Sequence, residues 1–160
     1  MQKVLHFIVF LLSFQISVAT NYSRVDSLIK NRRYLSAWKQ LGKLEKKENK
    51  IEINLKKIDM CLKYHVKSIS HQAFAFIDIL EGESLLQEKK RAIQKMIPAF
   101  PFKIDLILDS LIKEVPDNYK LHKAKGEYYY DIFILFKKDW IKNKKKVLRQ
   151  MHDSFKKADE

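Results

Sequence analysis

Glycine and proline are scarce in this chain, three of each among 160 residues, and threonine occurs once, at Thr20. So little turn chemistry counts against a sandwich or barrel of many short strands. The lack of threonine and the few valines point the same way, because strands favour β-branched residues. A single cysteine, Cys61, excludes an intramolecular disulfide framework and a zinc ribbon. Three glycines leave almost no material for a phosphate-cradling loop, and no HExxH, GxSxG, Walker-type or GxGxxG run occurs. The expectation is a non-enzyme, with no catalytic, cofactor-binding or metal-ligating residues and no cofactor. What is present is an apolar fraction of 46%, ordinary for one globular domain.

The formal net charge is +13, from 32 Lys and Arg against 19 Asp and Glu. Arginine supplies little of it: Arg24, Arg32, Arg33, Arg91 and Arg149 stand among many lysines. Nucleic-acid readers lean on the planar fork of Arg for bidentate contacts that Lys cannot make. A bias toward Lys and Ile also arises in AT-rich genomes without selection for binding. Nucleic acid is accordingly not an expected partner.

Residues 1–19 read MQKVLHFIVFLLSFQISVA. Lys3 gives a positive start, Val4 to Phe14 an apolar run, and Ser17-Val18-Ala19 the small residues that a signal peptidase needs. The run is short for a membrane span. The expected product is an exported protein, periplasmic or secreted, cleaved near Ala19, with residues 20–160 as one domain and no transmembrane helix after cleavage. Export also makes partners of the cytosol improbable.

Beyond Ala19 the apolar spacing is helical. Ser23 is a candidate N-cap before Val25, Leu28 and Ile29. Tyr34, Ala37, Trp38, Leu41 and Leu44 mark a second helix, which dissolves into Glu45-Lys46-Lys47-Glu48. Ile51, Leu55, Ile58, Leu62, Val66, Ile69, Ala73, Phe76 and Leu80 form the longest stripe, at alternating steps of three and four. It fits one helix of about 45 Å at 1.5 Å per residue, or two helices broken near Ser68-Ile69-Ser70. One helix is favoured, since no Gly or Pro interrupts it before Gly82, read as its terminator. Ser84 and Gln87 have the spacing of a capping box. Pro98 and Pro101 bound a linker that pins Phe100 and Phe102. A helix through Ile104, Leu108 and Leu111 then reaches the turn Val115-Pro116-Asp117-Asn118. The next helix passes Leu121, Ala124, Tyr128 and Ile132, and the last carries Leu148, Met151 and Phe155. Gly126 lies inside the former at a cost of roughly 1 kcal/mol against Ala, which predicts a close neighbour there.

The segment Tyr34-x2-Ala37-x3-Leu41-x2-Leu44 resembles the second half of a tetratricopeptide-type repeat. Pro116-Asp117-Asn118 is similar to the proline turn between such repeats. Leu121, Ala124 and Tyr128 resemble a first helix, and Met151, Phe155 and Ala158 a second. The departures are Gly126, displaced from the usual position, Arg32 where an inter-helix glycine stands, and a long connection from Lys137 to Lys146. The resemblance implies an all-α fold of antiparallel helical hairpins. That fold is a tetratricopeptide-like right-handed superhelix, or otherwise an irregular helical bundle. It also implies binding of a protein or peptide partner.

Residues with chemical potential have bland readings beside them. Cys61 and His65, four apart, have the spacing of metal ligands or a thiolate with its base, yet the apolar stripe beside them favours packing. His71 and Asp78 share a face of the favoured long helix. Asp78, Glu81 and Glu83 offer carboxylates near its end, as glycoside hydrolysis requires, but a thin helical array lacks the cleft. Tyr128, Tyr129 and Tyr130 cannot all be buried on one helix. Tyr129 and Tyr130, with Trp140, are the candidate partner contacts. Lys137 to Arg149 holds seven basic residues and one acid, with Trp140 and Ile141 among them. Lys142, Lys144, Lys145, Lys146 and Arg149 are the candidate contacts to an anionic lipid or glycan surface of the cell envelope.

Overall fold

The computed structural model of the chain describes residues 22–45, 50–94, 96–135 and 143–160. The expected signal peptide, residues 1–19, lies outside them, as do Trp140 and Lys142. The described chain is mostly helical. Residues 22–30 form α1, and α2 (Tyr34–Leu44) and α3 (Lys50–Lys63) follow. A small antiparallel sheet comes next, with strands β1 (Lys67–Ile69), β2 (Ala73–Ala75) and β3 (Phe100–Pro101) in that order across it. The helix α4 (Leu85–Gln94) lies between β2 and β3 in the chain, and α5 (Ile104–Glu114), α6 (Tyr119–Leu135) and α7 (Lys144–Asp159) complete the fold. No helix among the described residues is long and apolar enough to cross a membrane.

The helices form where the apolar spacing places them. Tyr34, Ala37, Trp38, Leu41 and Leu44 are the buried residues of α2, one stripe along its inner face. Ile104, Leu108 and Leu111 do the same for α5, while Leu121, Tyr128 and Ile132 carry α6 into the same core. The Ser84–Gln87 box closes reciprocally at the start of α4. The Gln87 N–H donates to Ser84 Oγ at 3.2 Å, and the Ser84 N–H donates to Gln87 Oε1 at 2.9 Å. Asn143 caps α7 by accepting from the Lys146 N–H at 2.9 Å. Helix α1 already includes Tyr22, so Ser23 stands within its first turn and not before it.

The single helix expected over 51–80 is not formed. Helix α3 stops at Lys63, and 67–75 is a β-hairpin. Ser68 pairs with Phe74 and Ile69 with Ala73, while β2 pairs Phe74 with Phe100. An expected all-α chain therefore carries a three-stranded sheet. The turn explains why no breaker marks it. Ser70 and His71 both take left-handed backbone, φ 54° and 50°, and the Gln72 N–H donates to the Ile69 carbonyl at 3.0 Å. Glycine or asparagine usually fills such a turn. The stripe divides accordingly: Ile58, Val66 and Phe76 are buried, but Ile69 and Leu80 face solvent. Gly82, at φ 83°, turns a non-helical segment and terminates no helix.

Arg32 also adopts left-handed backbone, φ 59°, between α1 and α2. Arg33, the N-cap residue of α2, supplies no side-chain cap. Asp78 takes over that role from 42 residues away. Its carboxylate accepts from the Ser36 N–H at 3.0 Å and from the Ser36 hydroxyl at 2.6 Å, and it lies 3.1 Å from Arg33 Nε. The segment after β2 is thereby fastened to the first turn of α2, where a carboxylate also meets the positive end of the helix dipole.

Candidate functional site

A cleft of about 530 Å³ opens between α2, α3, β3 and α5. That volume lies within the range of small-ligand and side-chain pockets. Trp38 reaches it from α2 because it is one turn on from Tyr34, on the buried face. Phe100 and Phe102 stand two residues apart around Pro101, so extended backbone turns both toward Trp38. The Phe102 N–H donates to the Gln72 carbonyl at 2.8 Å and fixes that approach. The rings nest: Trp38 stacks on Phe76 at 4.7 Å, meets Phe102 edge-on at 5.3 Å and lies 6.2 Å from Phe100.

Lys57 gives the cleft its charge. It sits one turn from both Ile53 and Cys61, on the inner face of α3, and its side chain is only 8% exposed. Its ammonium lies 5.6 Å from the Trp38 ring centroid and 5.8 Å from that of Phe102, cation–π distances for each. An ammonium so enclosed needs a counter-charge, and Glu45 Oε2 provides it at 2.7 Å from the cleft rim. Asn54, also buried, donates to the Lys50 carbonyl at 2.8 Å. Lys50, Ser110, Ile107 and Leu111 complete the lining. Aromatic faces beside one buried cation can grip an apolar side chain and orient an anionic group.

A second polar cluster joins the hairpin to α6. Ser68 Oγ and His71 Nδ1 share a hydrogen bond of 3.0 Å, and His71 Nε2 lies 3.3 Å from Asp131 Oδ2. His71 is buried and stacks on Phe74 at 5.9 Å, so these contacts hold its strained turn against the core. His65 is beyond the end of α3, and its Nδ1–H donates to the Cys61 carbonyl at 2.7 Å. Burial first, then the Lys89 charge, lowers the His65 imidazole below its ordinary value. Burial raises the Cys61 thiol well above its own, the opposite of what a thiolate nucleophile needs. Burial also raises the Tyr128 phenol.

The remaining sequence candidates separate. His71 and Asp78 share no helix: His71 faces Asp131, while Asp78 serves Ser36 and Arg33. Asp78 and Glu83 are likewise committed to different partners, since Glu83 pairs with Arg91 at 2.7 Å. Tyr129 is fully buried, 5.2 Å from the Tyr128 ring, which corrects its assignment as a contact residue. The two tyrosines bury together because α6 is covered on two sides, by α3 and α5 and by α7. Tyr130, 54% exposed, turns outward. Lys144, Lys145, Lys146 and Arg149 line the exposed face of α7, and the Lys144 ammonium lies 5.5 Å from the Phe133 ring. Among the described residues, no group of three or more His, Cys, Asp or Glu converges on a metal position.

Sequence reading did not find the cleft. Its signals were present but scattered: paired phenylalanines around Pro101, and a lysine in register with Ile53 and Cys61. Comparison with protein-family models, curated proteins and solved structures finds no match.

Proposed function

We propose that the protein is an exported, non-catalytic helical scaffold, tetratricopeptide-like in its hairpins, that binds a protein or peptide partner. The observation that carries the reading is the cleft, where Trp38, Phe100 and Phe102 meet Lys57. A few residues in desolvated pockets dominate the binding energy of protein interfaces, and Trp is among the types enriched there. The antiparallel packing of α6 on α7 and the Pro116 turn before α6 support the hairpin architecture. Export rests on the pattern of residues 1–19 alone.

Selection from a displayed library of random peptides on immobilised protein tests this reading. Selected peptides should quench or shift Trp38 emission in a Trp140→Phe background, which leaves Trp38 as the sole tryptophan. Phe100→Ala should weaken them at least tenfold, because Phe100 borders the cleft and is only half-buried. Failure to select any peptide, or full binding after Phe100→Ala, defeats the cleft as the site.

A second reading, attachment to an anionic lipid or glycan surface of the envelope, draws on α7. Lys144, Lys145, Lys146 and Arg149 are exposed there, none with a described carboxylate at ion-pair distance, near the exposed Leu148. It predicts sedimentation with anionic phospholipid vesicles that is lost at high salt, because exposed charges are screened over about 8 Å at physiological ionic strength. Exchanging Lys144, Lys145 and Lys146 together for Gln should abolish it. Unchanged sedimentation by that variant refutes this alternative.

A further inference from the structure

We propose that the cleft recognises a peptide through an acidic side chain beside a bulky apolar one, the acid displacing Glu45 from Lys57. This rests on the peptide-binding reading above and specifies its ligand. Lys57 is the buried cation of the cleft, and its ammonium is held over the Trp38 and Phe102 rings. Its counter-ion is of a different kind. Glu45 follows the last residue of α2, is 43% exposed, and reaches Lys57 from the rim with one carboxylate oxygen at 2.7 Å. Glu45 therefore occupies, from within the chain, the position that an incoming carboxylate takes.

The neighbouring surface fits the same ligand. Lys50, on the same rim, is exposed and paired at 2.9 Å with the exposed Glu114, so it too exchanges partners readily. Ile107 and Leu111 offer the apolar wall next to the Lys57 ammonium. A net charge of +13 attracts an acidic segment at long range. A basic peptide meets the opposite situation, since among the described residues the cleft presents two lysines and a single glutamate. Exchange of one carboxylate for another keeps the buried charge paired throughout.

Synthetic peptides from the library selection test the assignment, each prepared with its acidic residue intact and as the corresponding amide. Binding is read from Trp38 emission in the Trp140→Phe background. Wild-type protein should bind the Glu- or Asp-containing form at least tenfold more tightly than the Gln or Asn form. Lys57→Met, whose folding is checked by circular dichroism, should erase that preference. Glu45→Gln leaves the Lys57 ammonium without its counter-ion, so its folding is checked by circular dichroism as well. It should tighten the acidic form several-fold, because the internal competitor is gone. Equal binding of acidic and amide forms overturns the acid assignment while leaving peptide binding intact. A preference that follows a free peptide C-terminus, and not the side chain, also overturns it. Absence of any selected peptide removes the underlying reading together with this one.

Discussion

Gly126→Val is expected to prise α7 from α6 and to lower the unfolding free energy by roughly 2–3 kcal/mol, the usual cost of overpacking. A Cβ at position 126 would stand 2.7 Å from Cε1 of Phe155, 2.8 Å from Cδ1 and 2.9 Å from Cζ. Real Cβ atoms do not approach a ring so closely, so the ring or the whole of α7 must move. Valine gains about 0.5 kcal/mol over glycine in helix propensity, too little to offset the clash. Urea denaturation followed by circular dichroism measures the loss. Phe155→Ala in the same chain removes the obstructing ring, so the double variant should be much closer to Phe155→Ala alone than the two losses added. Simple additivity of the two losses would show that Gly126 is not where the helices touch.

Asp78→Ala is expected to cost roughly 2–3 kcal/mol near neutral pH, combining a lost helix cap with hydrogen bonds to a charged acceptor. Little of this comes from Arg33, whose side chain is 55% exposed and screened by solvent. The effect depends on pH with a definite sign. Partial burial raises the Asp78 carboxyl, but the Ser36 side-chain and backbone hydrogen bonds, with Arg33, outweigh it and leave it below its ordinary value. The folded state therefore binds this proton less readily than the unfolded one. The stabilisation is fully present above the unfolded carboxylate value of about 4 and is lost as the pH falls through the lower folded value. Asp78→Asn keeps an acceptor for the Ser36 N–H and should cost less than Asp78→Ala. It should also flatten the stability curve below pH of about 4. A wild-type and an Asp78→Asn curve that stay parallel through that window would falsify the linkage.

Legibility divides along the range of the interactions. The Ser84–Gln87 box was readable because the partners lie three residues apart and bond reciprocally, with no distant group needed. Gly126 was readable as a close approach because glycine inside a helix needs a compensating reason, and Phe155 supplies it. The stripe from Ile51 to Leu80 misled because its steps of three and four residues describe a real helix face only as far as α3. Beyond it the spacing is coincidental, since strands alternate at period two and Ile69 and Leu80 face solvent. Its turn carries Ser70 and His71 where a glycine would have announced it. The aromatic cleft was invisible for a related reason: Trp38, Lys57 and Phe102 come from α2, α3 and the segment between β3 and α5, and only their packing brings them together.

The sequence by itself determined the helical character, the helix starts and turns that local hydrogen bonds set, and the basic charge that α7 displays. Its shortage of glycine and proline correctly ruled out a fold built mainly of strands, though not one small sheet. Tertiary structure alone decided how the hairpin after α3 is held in the core, since its left-handed His71 lies against Asp131, 60 residues further along the chain. It also decided that Asp78 caps α2 and that Glu45 neutralises Lys57. Each is a charged or strained group whose burial becomes favourable only once a distant partner has arrived, and no local pattern encodes that arrival.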